Sequence, residues 1–268
     1  MLTVIIPIAS VNEFLSTSIN SIKNQTYKDY ICHLVCKKLN QEDLNHIKGI
    51  ISDDDRFIIH ELELDGITFA LNYALNLVKT KYMARMDADD YSYPTRFEKQ
   101  IKFLEDNPKY VMVGCRVEMV DNEDKKIIQQ FKFFQGDKKI RRALKYRMPL
   151  CHPAVIFRTS TMFKYQGYMF GKNSEDHELY IRIARDPSNL FENLSEHLFN
   201  YRRNQYQLTD MRNAWESYQD IGGFLFTEFL RTWNLLYLIG IIAIHPYLRQ
   251  SRKLIRDLKD KFIKPKKI

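Results

Sequence analysis

The sequence predicts an α/β domain with a mainly parallel central sheet and helices on both faces, continued by a helical C-terminal appendage. Three observations carry this expectation. Short unbroken apolar runs end in turn residues, the pattern of strands buried on both faces. Stretches of helical period separate them, at a strand spacing of about 25 residues that suits crossover connections in a parallel sheet. Near residue 210 the pattern gives way to a long apolar stretch and then a basic one, so residues 1–210 read as one domain and 211–268 as its appendage.

Residues 2–6 form an apolar run closed by Pro7, and Leu15, Ile19 and Ile22 after it share one helix face. A second strand spans 31–36 and a third 57–60. Asp65 is placed to cap a helix whose Ile67, Leu71, Ala74, Leu75 and Val78 lie on one side. A fourth strand over 82–86 precedes a helix opened by Pro94, with Phe97, Ile101 and Leu104 inward and Asn107-Pro108 as its stop. Beyond Pro108, residues 111–120 and 127–133 flank the turn-like Asp121-Asn122-Glu123-Asp124, which predicts an antiparallel hairpin on one edge of the sheet.

Composition and charge narrow the function classes. With 45% hydrophobic and 28% charged residues, the chain is globular rather than disordered. Of the +8 net charge, nearly all falls in residues 249–268, where nine Lys and Arg face only Asp257 and Asp260. A body almost without excess charge argues against a nucleic-acid binder, whereas a basic tail suits an anionic membrane surface or, more plainly, a solvated helix. Cys32, Cys36, Cys115 and Cys151 form neither a dense disulfide framework nor paired CxxC motifs, which fits a reducing cytosol, and residues 1–7 read as a strand rather than a signal peptide. Residues 221–248 are strongly apolar, but Glu228 and Arg231 interrupt them and 232–244 is short for a membrane span. That leaves a helix packed on the domain or one lying in a membrane interface.

Asp87-Ala88-Asp89-Asp90 is the motif with the clearest chemistry. It follows the fourth strand, at the carboxyl end where open α/β sheets bind ligands. Three crowded carboxylates repel one another unless a divalent cation or a ligand donor offsets them, and hard oxygen ligands suit Mg2+ or Mn2+. The plainer reading is a solvated acidic turn before the next helix. By the same standard Glu175-Asp176 is an ordinary helix-start pair, His152 a structural histidine before Pro153, and Arg141, Arg142, Lys145 and Arg147 a solvated basic face.

These motifs belong to an ordered series. Val4-Ile5-Ile6-Pro7, Gln25-Thr26-Tyr27, Ala84-Arg85-Met86-Asp87-Ala88-Asp89-Asp90, Arg96-Phe97-Glu98-Lys99-Gln100, His152-Pro153-Ala154-Val155, Gly167-Tyr168, Glu175-Asp176-His177-Glu178 and Tyr201-Arg202 together resemble family 2 glycosyltransferases with the GT-A fold. The resemblance implies a metal-dependent, inverting transferase that moves a sugar from a nucleotide-diphosphate sugar, by family habit a UDP-sugar, to an acceptor hydroxyl. The acceptor it implies is a lipid-linked or oligosaccharide one, in bacterial O-antigen, capsule or lipopolysaccharide synthesis, with the enzyme cytoplasmic and peripheral on the inner face of the plasma membrane. It implies Asp89 and Asp87 as ligands of Mn2+ or Mg2+, with Asp90 in support. Pro7, Ala9, Asp87, Asp89 and His152 would then meet the donor, and Asp176 would be the base that takes the proton of the incoming hydroxyl.

The sequence departs from the family after the second strand, where Lys37-Lys38-Leu39-Asn40 replaces the usual Asp-Asp-Gly-Ser type of turn. Asp55, with Asp53 and Asp54 beside it, is the candidate substitute at the nucleotide base, against a plainer reading as a polar turn. That departure also keeps open a noncatalytic scaffold of the same fold. A nucleotidyltransferase is the third reading, disfavoured because residues 7–14 contain no glycine to grip a phosphate.

Overall fold

The computed structural model describes residues 1–52, 54–63, 66–127, 130–169, 174–203 and 211–248. Four parallel strands build half of an eight-stranded sheet: β1 (Leu2–Ile8), β2 (Tyr30–Lys37), β3 (Phe57–Leu62) and β4 (Tyr82–Arg85). β1 lies between β2 and β4, which accounts for its unbroken apolar run. One face is covered by α1 (Leu15–Lys23) and α2 (Gln41–Ile51), whose Ile19, Ile22 and Ile47 pack with Val4, Ile6 and Leu34. The other is covered by α3 (Ile67–Leu77), where Leu71, Ala74 and Leu75 meet Ile5, Val35 and Met83.

The sequence pattern did not reveal α2. Its start is fixed by Asn40, whose side chain accepts the Asp43 N–H at 2.8 Å, and it buries Leu44, Ile47 and Ile51. The N-cap of α3 is Gly66, at φ 121°, one residue later than expected; Asp65 and Asp53 lie outside the described residues. Pro94 stands in the turn before α4 (Arg96–Asp106) rather than in its first turn, and Phe97, Ile101 and Leu104 point inward as expected.

The second half of the sheet is mixed. With β5 (Tyr91–Ser92), β6 (Tyr110–Val120), β7 (Ile156–Arg158) and β8 (Leu190–Arg202), the full order is β3-β2-β1-β4-β7-β6-β8-β5. β7 runs antiparallel to both β4 and β6, while β6 and β8 are parallel. The expected hairpin is therefore corrected: the described residues of 127–133 form no strand. One bridge between Val120 and Lys126, the Ile127 N–H on the Met119 carbonyl at 3.0 Å and the Gln130 side chain on the Met119 backbone are among the contacts that hold that segment. β6 sits inside the sheet because the 13-residue β8 offers it a longer ladder than residues 127–133 could.

Beyond the sheet, α8 (Met211–Thr232) and α9 (Leu235–Ile244) fold back on each other and pack onto the domain. Their Ile221, Leu225 and Tyr237 join Ile140 and Leu144 of α5 (Asp137–Leu144) and Leu179 and Ile183 of α7 (Glu175–Ala184). Glu228 of α8 is fully buried and paired at 2.6 Å with both Arg185 and Arg231. No helix among the described residues is long and apolar enough to cross a membrane. The basic residues 249–268 lie outside the described residues. The four cysteines are buried and unpaired.

Candidate active site

The acidic loop leaves β4 beside the end of β1, tied there by a Met86 N–H to Ile5 carbonyl bond of 3.0 Å. From α1, the Ser18 hydroxyl donates to the Asp87 carbonyl at 3.0 Å. Pro7 and the exposed Ala9 are thereby brought to the acidic loop. One carboxylate oxygen each from Asp87, Asp89 and Asp90 lies within 4.8 Å of the others. Such crowding needs compensation, and two arginines provide it. Arg85, on β4 and 7% exposed, pairs with Asp87 through two contacts, the Nη1 bond to Oδ2 measuring 2.7 Å. Arg202, at the end of β8, donates its backbone N–H to Asp90 Oδ1 at 2.8 Å and its Nε to the Asp89 carbonyl at 2.9 Å. Its guanidinium also bonds Asp121 and Asp124 and lies 3.9 Å from the centre of the Phe14 ring.

Facing the loop is the start of α7. Asp176, 21% exposed, accepts the His177 N–H at 2.7 Å. Glu175 beside it is buried and turned toward the same group rather than elsewhere: His152 Nδ1 stands 3.7 Å from Glu175 Oε1 and 3.9 Å from Asp176 Oδ2. His152 is itself buried, and its Nε2 shares a hydrogen bond of 2.8 Å with the Tyr168 hydroxyl. α7 is held from behind as well, by the His177 ring on the Leu144 carbonyl at 2.7 Å and by Arg182, which pairs with Glu178 of the same helix and donates to the Gly167 carbonyl at 2.7 Å.

Burial sets the proton affinities. It pushes the Asp89 carboxyl up to about 6, helped by the charge of Asp87 and opposed by Arg85 and Arg202. Burial also raises Asp176, against the pull of the His177 N–H and of Arg85, and it raises Glu175, with the charge of Asp176 adding to the effect. His152 is driven well below the usual range by burial and by Arg85, so it is neutral at neutral pH. Burial works against the charge of Arg85, but Asp87 and Glu175 more than offset it and hold the guanidinium protonated. Arg85 is thus the cation that both carboxylate groups share.

Pro7, Ala9, Asp87, Asp89, His152 and Asp176 all come to this one end of the sheet. Asp55 does not. It is exposed just before β3, at the opposite end of a strand parallel to β4, and Asp54 next to it is bonded to Arg56 at 2.8 Å, the polar-turn alternative. Arg141 is likewise not part of a solvated face, since it bonds Asp137 and the Ala184 carbonyl. Sequence reasoning gave no role to Arg85, Tyr168, Glu175 or Arg202. All four stand inside the motif blocks of the resemblance, yet what Tyr168, Glu175 and Arg202 do depends on His152 and the acidic loop, partners that the fold supplies.

The donor set suits a hard divalent cation. Asp89 is the one partly exposed carboxylate of the loop that no ion pair engages, Asp87 is shared with Arg85, and the buried Asp90 Oδ2 has no protein partner. Residues 3–165 match the family model for glycosyl transferase family 2. The chain belongs to this family. It is 35% identical over 204 residues to the O-antigen biosynthesis glycosyltransferase WbnJ of Escherichia coli, covering 75% of this chain and 79% of that protein. Among solved structures, the mannosyltransferase PcManGT of Pyrobaculum calidifontis, in complex with GDP-Man and Mn2+, superposes with a TM-score of 0.65 at 15% identity. That match covers 95% of this chain and 75% of the other. S. aureus TarS 1-349 with UDP-GlcNAc gives a TM-score of 0.60 at 16% identity, covering 75% of this chain and 58% of that one, less than two thirds of its length. These likenesses make the fold of this family 2 glycosyltransferase GT-A.

Proposed function

We propose that this protein transfers a sugar, with inversion, from a nucleotide-diphosphate sugar of the UDP class to a hydroxyl of a lipid-linked or oligosaccharide acceptor during assembly of a bacterial surface polysaccharide. The observation that carries this reading is the pair of carboxylate groups, Asp87 with Asp89 and Glu175 with Asp176, set around one buried arginine at the carboxyl end of the sheet. WbnJ, named for O-antigen biosynthesis, and TarS, solved with UDP-GlcNAc, support the choice of pathway and donor.

In this reading Asp89 and Asp87 hold Mn2+ or Mg2+, and Pro7, Ala9 and His152 line the donor. The ion, when bound, offsets the charge of the diphosphate as it leaves. Asp176 accepts the proton of the attacking hydroxyl, and a raised carboxyl is a better proton acceptor near neutral pH than an ordinary one. Neutral His152 and Tyr168 hold the back of the pocket without adding charge. No nucleic acid takes part, and the protein works in the cytoplasm, peripheral on the inner face of the plasma membrane, with basic residues 249–268 favouring the anionic surface where a lipid-linked acceptor lies.

The test is a thermal-shift panel of UDP, GDP, CDP and dTDP, each with and without Mn2+, on the wild type and on Asp89→Ala. Stabilisation by UDP only with metal, and only in the wild type, is the expected result. No response to any nucleotide would move the noncatalytic scaffold ahead.

A further inference from the structure

Large apolar side chains stand exposed in two rows on the α8–α9 hairpin. Phe226, Leu230 and Trp233 recur at i, i+4 and i+7 along α8, and Leu235, Ile239 and Ile242 repeat that spacing along α9; their exposures run from 49% to 75%. The opposite faces of the same helices carry the buried Ile221, Leu225, Tyr237 and Gly240, so both stripes are surplus to the domain core. Trp233 ends α8 in the left-handed region at φ 53° and, at 75% exposed, forms the tip of the hairpin.

We propose that this hairpin is a seat for an anionic lipid bilayer, with the two stripes lying in the interface and Trp233 at headgroup depth. Charge selects a bilayer over a second copy of the chain. Directly after the hairpin the sequence adds nine basic residues in positions 249–268, so two copies meeting on this face would bring like charges together, whereas anionic headgroups would neutralise them. Neither helix is both long and apolar enough to cross, which suits helices lying in the plane of the surface. The seat also has a consequence for the site: Glu228 of α8 grips Arg185 at the end of α7, so the helix that carries Asp176 is fastened to the hairpin. The proposal extends the lipid-linked acceptor reading but stands on separate observations.

The full chain is sedimented with phosphatidylcholine vesicles, with and without phosphatidylglycerol, as wild type and as Leu230→Glu with Ile239→Glu. Trp233 emission is followed in a Trp215→Phe background, since the chain has two tryptophans. The expected result is binding to the anionic vesicles with a blue shift of Trp233, both lost in the double variant, whose affinity falls about tenfold or more. Unchanged binding with unshifted Trp233 emission would overturn the proposal, because the basic segment alone would then carry the attachment. A wild-type dimer that the double variant breaks, without vesicle binding, would overturn it in favour of a second copy. The nucleotide thermal-shift panel on the double variant separates the two readings: a retained response with lost vesicle binding supports both, and vesicle binding with no nucleotide response leaves the seat standing while the transferase reading falls.

Discussion

Arg202 grips Asp90 across 112 residues of sequence, its backbone N–H on Oδ1 at 2.8 Å while its Nε holds the Asp89 carbonyl at 2.9 Å. The acidic loop is thus fixed at both of its last two residues by the last residue of β8, and Phe14 lies against the same guanidinium. A charge-assisted bond of this kind contributes about 1.5–3 kcal/mol. Arg202→Gln should therefore lower metal-dependent nucleotide affinity about tenfold, with a smaller loss of stability, because the backbone bond to Asp90 survives the change. Arg202→Lys should not restore it, since one ammonium cannot reach the Asp89 carbonyl, Asp121 and Asp124 together. Titration calorimetry with UDP and Mn2+ measures the first effect and denaturant unfolding the second.

In the proposed reaction Asp176 takes the proton, and among the described residues no Lys or Arg side chain is bonded to it. Asp176→Asn keeps the hydrogen bond from the His177 N–H but removes the base, so the transfer rate should fall about 10²–10⁴-fold while nucleotide-sugar binding is retained. Because burial raises the carboxyl above its ordinary value, wild-type kcat/KM should rise with pH through that raised value as Asp176 loses its proton. A variant with an unaffected rate would remove Asp176 from the base role.

Much of the parallel half of the sheet was legible in the sequence because each of its strands is a local apolar run and α1 and α3 each show their own stripe. The rest was not local. α2 carries only Leu44, Ile47 and Ile51 inward among polar residues, a weak stripe. β6 could be recognised as a strand, but its partner β8 begins 70 residues later, and no local pattern distinguishes that pairing from a hairpin with the nearby apolar segment. In the site, the acidic loop, Asp176 and His152 came from motif order, while Arg85 and Arg202 serve through contacts that only folding creates.

Asp89 gives a pH signature of stability. Its folded value of about 6 lies above the unfolded value near 4, so the native state binds more protons between these limits and loses stability as pH rises through them. The penalty is absent below about 4 and complete above about 6. In metal-free protein, Asp89→Asn should then raise Tm by about 2–4 °C at neutral pH, the gain shrinking to nothing near pH 4. Differential scanning calorimetry in the presence of a chelator measures it, and a gain independent of pH would show that Asp89 is not the group responsible.

Gly167 controls the back of the pocket without touching it. At φ 61° it turns the chain so that Asn72 can bracket Tyr168, donating Nδ2 to its carbonyl at 2.6 Å and accepting its N–H on Oδ1 at 3.0 Å, and Tyr168 in turn meets His152. A Cβ at position 167 would lie 2.5 Å from Asn72 Oδ1 and 2.7 Å from Leu75 Cδ2. The left-handed backbone costs a non-glycine residue about 1–2 kcal/mol, and the clash adds about 1–3 kcal/mol. Gly167→Ala should accordingly destabilise the protein by about 2–5 kcal/mol in denaturant unfolding. Asn72→Ala, which frees the space, should cost less on its own and should make Gly167→Ala cheaper in the double variant, a coupling that a double-mutant cycle reads directly. If the two changes simply add, the close approach of Asn72 is not what demands glycine at this turn.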